Sequence, residues 1–152
     1  MADVVVTAAN VVLNSGPSAV GILGETVTAG QVVYLKSDGK WWLAQRDGAT
    51  GLVGFEQAGA GAAGTTLPAF TGYLAFALNG GGAGQPVKVA LPGADVTCGG
   101  TVAVGTVYTL SATAGGFTSD ASASTNYNSI VGVGKSTSRL RLILVAAEAA
   151  VA

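Results

Sequence analysis

The sequence predicts an all-β fold, either a small β-barrel or a β-sandwich of short strands. Glycine supplies 24 of the 152 residues, and the glycines separate short segments rich in Val, Thr, Leu and Tyr, as turns separate strands. No window of about 12 residues or more carries a helical stripe of apolar side chains with capping residues. A weak internal repeat further indicates that the strands form two similar halves.

Candidate strands follow one another along the chain. Residues 31–36 and 40–45 flank Asp38-Gly39, which predicts a hairpin because glycine tolerates positive φ. In residues 139–145, arginines alternate with leucines, as expected for a half-buried strand. The other candidates are residues 4–7, 11–13, 51–55, 72–78, 86–91, 106–111, 116–118 and 129–133.

The internal repeat aligns residues 26–35 with residues 101–110, which lie 75 positions later in the chain. Thr, Val, Gly, Val and Leu match at corresponding positions, and an aromatic residue follows a glycine turn in both copies. Further on, Leu52-Val-Gly54 resembles Ile130-Val-Gly132. The repeat predicts a duplicated unit of four short strands. The alternative is chance similarity among segments rich in Gly, Val and Thr.

The domain organisation follows from the repeat. We predict a single β domain over residues 23–152, with halves at about 23–93 and 94–145 and a short C-terminal tail. Residues 1–22 fall outside the repeat and are predicted to form an extended N-terminal arm. Such an arm adds a strand to a neighbour's sheet or, alternatively, forms the first strand of its own domain.

The composition favours a protein that works in an assembly. Charged residues are only 10% of the chain, against about 25% in an ordinary soluble domain, and the net charge is −1. Such a surface is either covered by small neutral groups or buried against other subunits. The seven cations are scattered, which argues against nucleic acid as a partner. No apolar run approaches the ~20 residues of a membrane-spanning helix, and no signal peptide is recognisable, so we expect synthesis in a reducing cytoplasm.

Residues that could carry chemistry are few. The chain has no His and one Cys, Cys98, so neither a His-based triad nor an intrachain disulfide is available. Residues 59–64 match GxGxxG, but Pro68 argues against the helix that a dinucleotide site needs. Residues 132–137 resemble the end of a phosphate-binding loop, but a strand pattern follows instead of a helix. We therefore expect no enzyme activity, cofactor or metal.

The candidate functional residues are large apolar side chains that would contact other proteins. Trp41 and Trp42 are adjacent, so on a strand they point to opposite faces, and one of them would lie on the outside. Tyr73 is a candidate for the same reason, because it and Phe76 would lie on opposite faces of their strand. The alternative is that both faces are covered within the chain. The valines of the arm complete the candidates, namely Val4, Val5, Val6, Val11 and Val12.

Four ordered segments resemble a known family. The opening residues 2–12 (ADVVVTAANVV), with segments 28–34, 78–87 and 104–116, resemble small proteins of tailed phages and prophages that are interpreted as capsid decoration, or cement, proteins. The resemblance implies attachment to the outside of an icosahedral head, without catalysis, by binding the major capsid protein. It also implies a homo-oligomer, with a trimer favoured and a dimer possible. Residues 55–70 are longer and richer in Gly and Ala than the family pattern.

Competing functions remain open at the level of the sequence. A tail, neck or fibre-base module, or a β module that binds host glycans through glycine-rich loops, would share this composition. A small β-barrel enzyme or ligand-binding module is disfavoured by the missing His and the sparse acids.

Overall fold

The protein is all-β, as the sequence predicts. The computed structural model describes residues 3–36, 38–44, 70–111, 113–119 and 129–145, and in these ranges it contains eleven strands and a short 3₁₀ turn at Ala8–Asn10. The strands are β1 Val11–Ser15, β2 Ser18–Ile22, β3 Val32–Lys36, β4 Trp41–Leu43, β5 Phe70–Ala77, β6 Pro86–Ala90, β7 Asp95–Cys98, β8 Val107–Leu110, β9 Phe117–Thr118, β10 Ile130–Gly134 and β11 Arg139–Val145.

The strands form two antiparallel sheets that pack as a sandwich. The first sheet has the order β2-β6-β5-β3-β4, and the second has the order β1-β7-β11-β10-β8-β9. A single parallel bridge between Leu23 and Trp41 joins the chain after β2 to the opposite edge of the first sheet. The first sheet therefore curls, but the structure contains two sheets and not a closed barrel.

The two sheets repeat one strand order. Strands β2 to β6 occur in the same order in the first sheet as β7 to β11 in the second, with β1 as an additional edge strand. A hydrogen bond donated by a turn glycine also repeats, and the two donor glycines are 75 residues apart, the offset seen in the sequence. The Gly30 amide donates to the Ala77 carbonyl at 2.8 Å, and the Gly105 amide donates to the Gly134 carbonyl at 2.8 Å. Both glycines have positive φ, at 91° and 75°. This agreement supports the predicted duplication.

The two halves use opposite faces of their sheets to form the main core. Val32 and Tyr34 of β3 lie in the main core between the sheets, whereas Val107, the residue at the position of Val32 in the second half, lies outside it. In β8 the neighbouring residues Tyr108 and Leu110 enter the core instead. One face of the first sheet thus packs against the opposite face of the second, and the outer face of the second sheet faces away from the first.

Aromatic rings occupy the centre of the main core. Phe117 of β9 contacts Phe76 of β5 and Tyr108 of β8 edge to face, with ring centroids 6.2 and 6.0 Å apart. Phe76 and Phe117 are almost fully buried, and each buries an area that dominates local packing energetics. A second cluster on the other face of the first sheet contains Leu23, Val27, Val33, Trp41, Ala75, Ala77, Val87 and Val89.

Several predicted strands are present with small shifts, but β2 and β7 have no counterpart among the sequence candidates. Strand β2 occupies the same position in the first sheet as β7 does in the second. By this correspondence the first half begins at Ser18, whereas the sequence placed its start at about residue 23. Residues 11–22 of the predicted arm form β1 and β2, which pair with β7 and β6 of the same chain. The candidate strand at 51–55 and the glycine motif at 59–64 lie outside the described residues.

Candidate functional site

The outer face of the second sheet presents apolar side chains to solvent. We call the surface formed by Val107, Val133, Ile143 and Val145 the open face. Val133 of β10 lies opposite Val107 of β8, so the two side chains are cross-strand neighbours. Val107, Ile143 and Val145 are 47%, 37% and 53% exposed. On its other side, Val133 lies opposite the exposed Arg141 of β11. Exposed apolar side chains grouped on one sheet face are typical of surfaces that bind other proteins.

An ion cluster adjoins the open face. The nearly buried carboxylate of Asp95 accepts a hydrogen bond from Lys135 Nζ at 2.6 Å and two from the Arg139 guanidinium, at 3.1 and 2.8 Å. Burial alone would raise the pKa of Asp95, but these hydrogen bonds and one from Asn14 outweigh it, so the pKa lies below its usual value. With the exposed Arg141 opposite Asp95, this part of the surface carries three cations and one carboxylate.

The corresponding face of the first sheet is covered within the chain. We call the surface formed by Val32, Tyr34, Leu74 and Phe76 the docked face. All four side chains are buried, and they pack against β8, β10 and β11 of the second sheet. Val32 and Val107 occupy matching positions in the two halves, yet one is fully buried and the other is exposed. The open face is therefore built like a surface that this chain itself uses for docking.

The N-terminal arm lies in a groove of its own chain. The Val4 amide donates to the Phe117 carbonyl at 3.0 Å, and the Thr7 amide donates to the Gly99 carbonyl at 2.8 Å. At the arm's start, Ser111 Oγ donates to Asp3 Oδ2 at 2.9 Å. The arm thus connects the edge strand β9 with the turn after β7.

Of the two tryptophans, Trp41 enters a core and Trp42 stays partly exposed. They do lie on opposite faces, since Trp41 pairs with Leu35 and Trp42 with Tyr34. Trp41 is only 6% exposed. Trp42 is half-buried: the Lys36 ammonium lies 4.3 Å from its ring centroid, and its Nε1 donates to the Asp38 carboxylate. Trp41 is thus covered within the chain, whereas part of the Trp42 ring remains accessible to a partner.

The other predicted interface residues divide between covered and exposed positions. Val5, Val12 and Tyr73 are exposed, whereas Val4, Val6 and Val11 are half-buried against the main core. Sequence reasoning missed the open face, although one signal was available. In β11 the residues that share a face with Arg139 and Arg141 are Ile143 and Val145, and apolar side chains on the polar side of a strand indicate a partner.

The structure gives the glycine-lysine segment 132–137 a simple role. It forms the end of β10 and the turn into β11, and Lys135 pairs with Asp95. A strand follows the lysine, as expected, so the amide cradle of a phosphate-binding loop does not form. Among the described residues, no three His, Cys, Asp or Glu side chains cluster as metal ligands would. Across the described ranges, no helix has the length and apolar character needed to cross a membrane.

Comparison with known proteins adds no assignment. The sequence matches no protein-family model, and no curated protein is significantly similar to it. Function is therefore argued from the fold, the open face and the arm.

Proposed function

We propose that the protein is a structural virion component: a capsid decoration, or cement, protein that binds the major capsid protein on the outside of an icosahedral phage head. The observation that carries the proposal is the open face, an apolar surface equivalent to one that the chain already docks internally. The ordered sequence resemblance to phage decoration proteins supplies the identity of the partner. The proposal includes no catalytic step.

The mechanism is the addition of contact area. Burial of apolar surface contributes about 25 cal/mol per Å². A few hundred Å² on each subunit would contribute several kcal/mol before the cost of association. Val107, Val133, Ile143 and Val145 can supply this area without unfolding any part of the sheet. Repeated over a shell, such contacts resist internal pressure from the packaged genome.

The charges beside the open face make an acidic capsid surface the expected partner. Lys135, Arg139 and Arg141 outnumber Asp95, so two open faces brought together would repel each other. A homo-oligomer, with a trimer favoured and a dimer possible, would therefore form through other surfaces. Exposed Val5, Val12 and Tyr73 are available for those contacts.

A binding assay with purified shells tests the proposal. Ile143→Glu and Val107→Glu place carboxylates on the open face, and each should lower the occupancy of shells at least tenfold in co-sedimentation. Val104→Glu is the matched control, because Val104 is 68% exposed but lies in the turn before β8. Unchanged binding of both open-face variants would overturn the assignment. Binding to isolated tails, necks or glycans but not to shells would favour the competing virion or glycan-binding functions.

A further inference from the structure

Four glycines line the groove that holds the N-terminal arm. A Cβ atom at Gly100 would lie 2.5 Å from the Val5 carbonyl oxygen, and one at Gly99 would lie 2.6 Å from the Thr7 carbonyl oxygen. A Cβ at Gly116 would lie 2.8 Å from Asp3 Oδ2, and one at Gly30 would overlap the Val6 side chain. A side chain at Gly99 or Gly100 would meet the backbone of the arm, and one at Gly30 or Gly116 would displace an arm side chain. The groove is therefore shaped to accept an extended strand against bare backbone.

The first half fills the corresponding place differently. There the Gly24 amide donates to the Trp41 carbonyl at 2.9 Å, and Gly24 directly continues the chain from β2. In the second half, Gly99 is the residue 75 positions after Gly24, but the arm lies between it and Phe117. In the second half, the N-terminal arm therefore lies between Gly99 and Phe117 and hydrogen-bonds to both. In the described residues of the first half, Gly24 bonds directly to Trp41.

Among the described residues, the polar contacts that hold the arm are the backbone bonds of Val4 and Thr7 and the Asp3–Ser111 bond, and the half-buried side chains of Val4 and Val6 add apolar packing. Val5 between them is 83% exposed. The turn Ala8–Asn10, which joins the arm to β1, contains no buried residue. Straightening this turn would cost little packing energy and would let the arm extend away from its own chain.

We propose that the groove is an intermolecular strand-binding site, and that its partner is the Asp3–Thr7 arm of a second copy of this chain. Exchange replaces each intrachain contact with the same contact between chains, so its energetic cost is low. The eight residues before Val11 could reach roughly 26–29 Å when extended, at about 3.3–3.6 Å per residue. Exchange is favoured where copies meet at high local concentration, whatever particle they belong to.

A pair of cysteines that can meet only through exchange tests this proposal. Asp3→Cys and Ser111→Cys replace two side chains that are in direct contact. When the two single variants are mixed at high concentration and oxidised gently, a covalent heterodimer forms only if the arm of one chain enters the groove of the other. Cys98 should not interfere, because it is fully buried and burial raises the pKa of its thiol.

Matched variants make the result decisive. Ser111→Cys combined with Gly100→Ala obstructs the groove, and Val104→Cys reports random collisions at an exposed site. We expect the Asp3→Cys and Ser111→Cys mixture to give at least tenfold more heterodimer than either control mixture. The doubly substituted single chain should form an internal disulfide when dilute. Heterodimer no more abundant than in the controls would overturn the exchange, and loss of the internal disulfide would overturn the placement of the arm.

This test uses the purified protein alone. Its failure would leave the binding of the open face to shells untouched, and loss of shell binding would leave arm exchange intact.

Discussion

The two halves share a strand order and a hydrogen-bond pattern but differ in what covers them. In the first half, the docked face lies under the second sheet, and the chain itself continues to the edge strand. In the second half, the equivalent open face is exposed, and a separate arm completes the edge. If the proposed function holds, the difference shows how a duplicated unit can become a docking module. The first copy is covered by the second, and the second copy keeps the same kind of surface exposed for the capsid.

The largest expected effect comes from matched substitutions in the two faces. Val32→Ala on the docked face removes fully buried methyl groups and leaves a cavity, so it should lower the free energy of unfolding by about 2–3 kcal/mol. Val107→Ala, at the same position of the second half, should change it by less than about 0.5 kcal/mol. Urea denaturation measures both. Equal losses would mean that the open face is covered within the folded chain.

Closing the arm groove should have an intermediate effect. Gly100→Ala should displace the arm and remove two backbone hydrogen bonds, each worth about 0.5–1.5 kcal/mol, so that stability falls by about 1–3 kcal/mol. A broad-specificity protease should then remove the N-terminal residues faster than in the parent protein. Gly82→Ala is the control, because its Cβ would meet only Gln85 Oε1 at 3.8 Å. Unchanged arm cleavage in Gly100→Ala would contradict the described groove.

The ion cluster should give the smallest effect, and one that depends on pH. Val20 and Asp95 occupy matching positions in strands β2 and β7. Val20 faces Lys88 in the first sheet, whereas Asp95 faces Arg141 in the second and binds Lys135 and Arg139. Because the pKa of Asp95 is lowered by folding, its stabilisation is present above the ordinary carboxyl pKa, about 3.9. It is lost as the pH falls through the lower folded value.

Asp95→Asn should therefore lower stability by about 1–2 kcal/mol near neutral pH, with the difference from the parent shrinking below about pH 4. Urea titrations at several pH values measure this gap. Lys88→Gln removes an exposed cation from the first half and should change stability little at any pH. A constant gap for Asp95→Asn across the acid range would refute the role of the carboxylate charge.

Much of the fold could be predicted because the local signals are strong. Alternation in residues 139–145 and the Asp38-Gly39 turn correctly predict β11 and the β3–β4 hairpin. The missing strands are β2 and β7, the corresponding strand of each half. Ser18–Ile22 contains three small residues, and Asp95–Cys98 contains one β-branched apolar residue, so their strand conformation depends on pairing with distant partners.

The site was harder to predict, because local sequence does not determine which face is covered. Val32 and Val107 follow matching glycine turns in matching strands, yet long-range packing buries only Val32. The groove glycines are similarly dispersed, since Gly30 and Gly116 lie far in sequence from Gly99 and Gly100. Adjacent tryptophans suggested one exposed anchor, but the sequence does not tell which ring enters the second cluster and which one packs against Lys36 and Asp38 at the surface.

A reconstruction of the phage head that we propose as the partner, with this protein bound, would test the central claim most directly. If the open face is the docking surface, side chains of Val107, Val133 and Ile143 will lie within about 4.5 Å of capsid atoms, with acidic residues opposite Arg141. A reconstruction that leaves these side chains in solvent, with the capsid bound elsewhere on the chain, would contradict the claim.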